Sequence, residues 1–391
     1  MSGPLEGIRI IELGQMIAVP AAAHVLAGQG ASVIKVEDTR RGDELRFYGS
    51  QKNGISAWFI SANGGKRSIG LNLQEARGKE ILWQLLEGAD VFMQGFRPGV
   101  LDRLGFSPDT ARRRCPQLVY YSSSGFGADG PYANQPAYDP IIQALSGWAG
   151  SQTNGGEPSL IRGMVADKVA AMMGAQAITA ALVQRGRTGI GQHVDLSMLE
   201  ANIAFNWSDV MMHCSLLDAD AEHRPNVLAS YRLLRCRDGW VTVTAGNDAQ
   251  WQGFCRALER PDLARDERFA TPVARGSNLP AWYDTMDEMV ISYDADDVLK
   301  RVRAEDVPAA PVLNPDQVAA DPQVVAREGV TEISHPVAGK LLQPRPGARF
   351  EGHQFSLSAA PLHGEHTDGL LAELGYETTT ITTLRNDGVI A

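Results

Sequence analysis

Cysteine is scarce in this sequence: Cys115, Cys214, Cys236 and Cys255 are the only four in 391 residues. None forms a Cys-x-x-Cys pair or stands near a ligand-spaced histidine, which argues against a zinc site or a disulfide framework and for reduced, structural thiols. No run of five or more Lys or Arg interrupts a chain of formal net charge −10, so no nucleic-acid footprint and no patch for an anionic membrane is expected. No window reaches about eighteen uninterrupted apolar residues, and the start, "MSGPLEGIRIIELG", lacks the basic flank and apolar stretch of a secretory signal. The expected location is the cytoplasm. No internal repeat with a period of about 20 to 50 residues is present.

Two chemical signatures are also missing. Glu37 ends a second predicted strand, where a ribose-binding acid would sit in a dinucleotide fold, but the turn after the first strand reads "GQMIAVPAAA". Gly14 stands alone there, and Pro20 falls where a pyrophosphate-cradling turn carries glycine, which disfavours a nicotinamide enzyme. The run "YYSSSGFG" ends a strand in hydroxyls and eight histidines could serve as base, yet no Gly-x-Ser-x-Gly elbow surrounds it.

What is present is a folded chain, 44% hydrophobic and 21% charged. "GIRIIEL" and "ASVIKVE" flank a helix-like "VPAAAHVLAGQG", and "RSIGLNL", "QEARGKEILWQLLEGA", "DVFMQGF" and "QLVYYSSSG" continue the alternation. This pattern predicts an α/β fold with a parallel sheet. Lys168 to about Arg185 is apolar or small on nearly every side and predicts a helix buried all round. "TGIGQHVDLSMLEANIAF" adds a turn, a strand and a helix start, and "HCSLLDADAEHRPN" then loses periodicity. From about Val227 the texture becomes α+β: two strands in "YRLLRCRDGWVTVTAG" across an Asp-Gly turn, then helices in "DAQWQGFCRAL" and around Trp282 to Arg303. "VPAAPVLNPDQVAADPQ" is expected to be a connector, "TEISHPVAGKLLQPRPGARF" strand-like, and "GEHTDGLLAELGY" helical.

One acid, Asp167, stands in front of the long apolar segment. An aspartate directly before a helix is a favoured N-cap, which alone accounts for it. The same position suits a carboxylate nucleophile, since a helix N-terminus favours the ionised form and apolar surroundings exclude water. One residue could serve as both.

Five ordered blocks, "GIRIIELGQMIAVPAAAHVLAGQGASVIKVEDTRRGDELR", "NGGKRSIGLNL", "ADVFMQGFRPGVLDRLGF", "YYSSSGFGADGPYANQPAYD" and "RTGIGQHVDLSMLEA", together resemble the class III (CaiB/BaiF) CoA-transferase family, which includes formyl-CoA transferase, carnitine CoA-transferase and the α-methylacyl-CoA racemases. The likeness runs from about residue 5 to residue 205 and resumes at "VTVTAGNDAQW" and "GEHTDGLLAELGY". It implies a Rossmann-like large domain from both ends of the chain (1–200 and, after a linker, 326–391), a linker at 201–224, a small α+β domain at 225–325, and an interlocked-ring homodimer. It also implies that coenzyme A and acyl-CoA are substrates, with no tightly bound cofactor and no metal.

By the same resemblance, Asp167 attacks an acyl-CoA thioester. CoA contacts are carried over to Ile17 and Ala18, Leu71 and Asn72, and Gly95, Phe96 and Arg97, with Arg103, Arg40, Arg41 and Arg46 as phosphate candidates. Tyr138 and the neighbouring Asp139 are carried over as CoA-binding positions too; the racemases carry histidine where Tyr138 stands, and the transferases tyrosine, which favours transfer. Gln15, Tyr48 and Trp58 are further pocket candidates. Formyl-CoA transferase has Gln in place of Ile17, Lys in place of Pro136 and a glycine run in a lid where this chain reads "EHRPNVLASY", which argues against formyl and oxalate substrates. The implied activity moves CoA from an acyl-CoA, with succinyl-CoA as the suggested donor, to a carboxylic acid. An α-methylacyl-CoA racemase and a non-catalytic CoA-binding protein are the alternatives.

Overall fold

A computed structural model describes residues 3–154, 156–218, 220–222, 231–353 and 358–391. They form two compact units: one runs to Met212 and resumes at Arg327, and the other spans His213–Ala326.

The first unit is built on six strands, β1 Arg9–Leu13, β2 Ser32–Glu37, β3 Arg67–Gly70, β4 Val91–Gln94, β5 Val119–Ser124 and β6 His193–Ser197. All pairs are parallel and the order across the sheet is β6-β5-β4-β1-β2-β3. This is the doubly wound order, whose direction reverses between β1 and β4; ligands in such sheets bind outside the carboxyl ends at that switch point. The strands are apolar on both faces because helices cover both. Ile10, Val33, Val91, Val119 and Tyr121 pack with helix Ala18–Gly28 and the long helix Val165–Thr188. Ile11, Ile34, Ile69, Phe92 and Tyr120 pack with helix Ala76–Glu87 and the C-terminal helices Thr367–Glu373 and Thr378–Asn386. The end of the chain is tied to β3, with His366 N–H donating to Ser68 O at 2.9 Å and Ile390 bridged to Leu71.

The long helix is not buried all round. Its small residues, among them Ala170, Ala171, Gly174 and Ala175, seat it against the sheet so closely that a Cβ at Gly174 would fall 2.3 Å from Tyr121 Oη. Met172 and Val183, on its other side, are 56% and 58% exposed in the single chain. Apolar composition on every side thus marks a second apolar face that this chain does not itself cover.

In the second unit, Leu234–Arg235 and Trp240–Val243 pair antiparallel across the expected Asp-Gly turn. Part of the predicted connector is a third strand, Ala309–Pro311, antiparallel to Trp240–Val243 at the sheet edge, where proline costs no ladder bond. Trp251, Phe254, Phe269 and Trp282 form the centre of its core. The segment read for its lack of lid glycines falls mostly on residues 223–230, outside the described residues. Among the described residues no helix is long and apolar enough to cross a membrane, and no cluster of acids, histidines and cysteines is arranged to hold a metal ion.

Candidate active site

The loop that follows β1, Gly14 to Ile17, sits at the switch point and rests on buried charges. Lys35 Nζ donates to Gly14 O at 2.8 Å and is ion-paired with Glu12 at 2.9 Å and Asp43 at 2.8 Å. Asp43 Oδ1 in turn accepts Met16 N–H at 3.0 Å. On the other side of Glu12, Lys66 Nζ lies 2.6 Å from Oε2 and also donates to Pro20 O and Asn63 Oδ1. Burial, joined by the charge of Lys35, lowers Lys66 to a pKa of about 8 despite Glu12. For Lys35 burial also works against the ammonium, but Asp43 and Glu12 outweigh it and hold its pKa above the ordinary lysine value. The loop needs this support, because Met16 adopts a left-handed φ of 62°, a conformation that costs a non-glycine residue free energy.

Two cavities open beside this loop. The first, of about 370 Å³, is lined by Leu13 to Gln15, Arg40, Arg41, Leu71, Asn72 and Phe96. The second, of about 320 Å³, is lined by Gln15, Met16, Ala18, Gly95, Phe96, Arg97, Gln135, Tyr138 and Asp167. Gln15, Glu44 and Phe96 border both. The structure therefore brings most of the expected residues to one place. It leaves some out. Ile17 is buried in a small apolar cluster with Leu45, Phe59 and Ile60. Arg103 is exposed and lines neither cavity, and neither do Tyr48, Trp58 and the buried Asp139. Arg46 is turned inward: it donates to both Glu37 oxygens at 2.8 and 2.7 Å and to Pro361 O, and lies 3.6 Å over the Phe59 ring. Burial would raise Glu37, but Arg46 outweighs it and holds the carboxylate at about 2, so this arginine is a buried ion-pair partner rather than a free phosphate ligand.

Asp167 differs from its expected role in two respects. It is not the N-cap: the long helix starts at Val165 after Met164, which makes no side-chain cap, so Asp167 lies within the first turn. The capping carboxylate comes from 28 residues away, where Asp139 Oδ2 accepts the Asp167 N–H at 3.0 Å. Asp139 is buried at the start of helix Asp139–Leu145, just after the 63% exposed Tyr138. Nor does the helix end win the electrostatic contest: burial, then the Asp139 charge, raises Asp167 to a pKa of about 7, with Lys168 opposing. The half-buried Asp167 thus changes charge near neutrality, a property of groups that perform proton or acyl chemistry.

Two supporting side chains carry no motif of their own. Gln143 is 2% exposed and donates to Asp139 Oδ1 at 2.6 Å, and Asn202 donates to Ala166 O at 3.1 Å from the neighbouring helix Met198–Asn206. The one sequence signal for Gln143 is its i, i+4 spacing from Asp139 on a helix. The hydroxyl run supplies a close Ser122 Oγ to His193 Nε2 contact of 2.9 Å, but Ser122 shares a sheet face with Tyr120 and lines a separate cavity of about 280 Å³, not the one that holds Asp167.

A doubly wound sheet with two cavities beside its switch-point loop, one of them walled by Asp167, defines an α/β enzyme-like site, and comparison with known proteins gives its family. Residues 5–367 match CoA-transferase family III, and the chain belongs to that family. Human succinyl-CoA:glutarate CoA-transferase is 30% identical over 396 residues, covering 99% of this chain and 90% of the relative. Acetyl-CoA:oxalate CoA-transferase of Acetobacter aceti is 32% identical over 355 residues, 90% of each chain. The crystal structure of a CaiB/BaiF family protein from Brucella suis superposes with a TM-score of 0.83 at 33% identity, over 96% of this chain and all of that one.

Proposed function

We propose that this protein transfers coenzyme A from an acyl-CoA to a carboxylic acid, with Asp167 as the nucleophile. The observation that carries the reading is the placement of a half-buried carboxylate of pKa about 7 on the wall of a cavity next to an arginine-edged one. Arg40 and Arg41 meet the CoA phosphates, and the thioester lies between Tyr138 and Asp167. The ionised Asp167 attacks the thioester carbonyl, CoA leaves as thiolate, and an acyl-aspartyl anhydride remains. Thiolate then attacks the aspartyl carbonyl of this anhydride, releasing the donor acid and leaving an aspartyl-CoA thioester. The acceptor carboxylate attacks that thioester to give a second anhydride, and the returning thiolate takes the acceptor acyl group and frees Asp167. Each step exchanges one activated acyl group for another, so neither ATP nor a metal is required. Stabilisation of the carbonyl oxygens and exclusion of water are the protein's task.

A small dicarboxylate acceptor with succinyl-CoA as donor is supported by the relative named for succinyl-CoA and glutarate. Two copies of the chain form the working unit, supported by the uncovered apolar face of the long helix and by exposed Ile141, Leu145 and Leu160 near the site. Racemisation is disfavoured because the cavity that holds Asp167 presents Tyr138 and, among the described residues, no histidine, where an acid/base pair titrating near neutrality is required. A panel of carboxylic acids with succinyl-CoA and acetyl-CoA tests the reading. Transfer with an absolute need for an acceptor acid is expected, and exchange of an α-proton of a 2-methylacyl-CoA into deuterated solvent without any acceptor would replace it with racemase chemistry.

The raised pKa sets the pH dependence. Attack needs the carboxylate, so kcat/KM rises about tenfold per unit at acid pH and levels off above about 7, the Asp167 value. Asp139→Asn removes the like charge and moves the midpoint to lower pH, which a pH-rate profile of the two proteins measures.

A further inference from the structure

We infer that Gln143 is a positioning residue for Asp167, acting through Asp139: its buried amide fixes one oxygen of Asp139 so that the other is held against the first turn of the long helix.

The geometry forms a closed tie. Gln143 follows Asp139 by one helical turn, so their side chains share a face. Its Nε2 donates to Asp139 Oδ1 at 2.6 Å and lies 3.2 Å from Ile161 O and 3.1 Å from Gly163 O, and its Oε1 accepts Ile161 N–H at 2.9 Å. A single amide therefore binds the acid, the strap that leads into the long helix, and both polarities of that strap's backbone. The remaining Asp139 oxygen accepts Asp167 N–H at 3.0 Å. Both Asp139 oxygens are thereby engaged, one by a side chain and one by the backbone of Asp167.

This arrangement makes the charge of Asp139 stationary relative to the Asp167 carboxylate. A buried carboxylate without its donors would take up a proton or turn away. In either event the repulsion on Asp167 falls. The other charged or titratable groups around Asp167 are Lys168, next to it on its own helix, and Tyr138, Arg97 and Glu44, which line the same cavity, and none of them bonds to Gln143. Gln143 touches no part of the cavity itself, so its influence passes through Asp139.

The importance of this tie rests on the nucleophile reading above, but its test does not need turnover. Aspartate labelled with ¹³C at the side-chain carboxyl is titrated by NMR in the full-length protein, with the Asp167 signal assigned by its loss in Asp167→Asn. Gln143→Met keeps the volume and removes the amide, and the Asp167 midpoint falls by about one unit. Gln143→Asn, one methylene short, moves it in the same direction by less, and serves if the Met variant does not fold. Asp139→Asn lowers the midpoint too, and adding Gln143→Met to it produces no further shift. An unmoved midpoint in the Gln143 variants, or shifts that add in the double variant, overturns the inference. A shift as expected together with full turnover in Asp167→Ala would instead overturn the nucleophile reading and leave the tie standing.

Discussion

Asp167→Ala is expected to lose about 10⁴-fold or more in CoA transfer, the range seen when a covalent nucleophile is removed. Binding of acyl-CoA should persist, because the arginine-edged cavity does not include this side chain. Folding should persist as well. The Asp167 carboxylate accepts no capping N–H, and its own backbone N–H, which donates to Asp139, remains in the variant. Removing a half-buried acid that burial already destabilises in its charged form relieves a cost rather than creating one. Steady-state rates with several acids, beside a thermal unfolding curve, separate the outcomes. A variant that unfolds like the parent but no longer transfers fits the account, and retained turnover removes Asp167 from the nucleophile's role.

Lys35→Met has the largest expected effect on stability. Lys35 and its partners Glu12 and Asp43 are all essentially inaccessible to water, so the substitution strands two carboxylates with Lys66 as the remaining buried ammonium. Breaking a buried ion pair by removing one partner costs about 3–5 kcal/mol. The loss spreads to the substrate loop, since Gly14 O loses its donor and the left-handed Met16 depends on Asp43 staying in place. Urea unfolding should show the reduced stability, and any folded fraction should bind acyl-CoA more weakly. A cost below about 1 kcal/mol, the range of exposed pairs, would mean that the network relaxes without that lysine.

Much of the sheet was legible in the sequence because its cause is local: short apolar runs between small turn residues, each followed by a helical pattern. The third strand of the second unit was hidden by Pro308 and Pro311, and only its edge position makes them harmless. Helix Thr378–Asn386 is rich in β-branched threonine and is held by Ile381 and Leu384 packing on the core, a tertiary gain that local propensity does not report. At the site, the acid in front of the apolar helix was visible, but its cap was not. That cap comes from Asp139, distant in sequence, so "MVADKV" carries no trace of it. Arg46 illustrates the same limit. As a string, "RRGDELR" offers three equivalent cations; the fold exposes Arg40, puts Arg41 near Phe47, and turns Arg46 inward to Glu37.

In the proposed reaction the Asp167 carboxyl itself becomes activated. Incubation with acyl-CoA, quenching with hydroxylamine and intact-mass and peptide analysis tests it most directly, because hydroxylamine converts an aspartyl anhydride or thioester into a stable hydroxamate. One hydroxamate per active site is expected, located at Asp167, dependent on acyl-CoA and absent from Asp167→Ala. A protein that transfers CoA at full rate without ever yielding that adduct, or that yields it at another residue, would exclude Asp167 as the nucleophile.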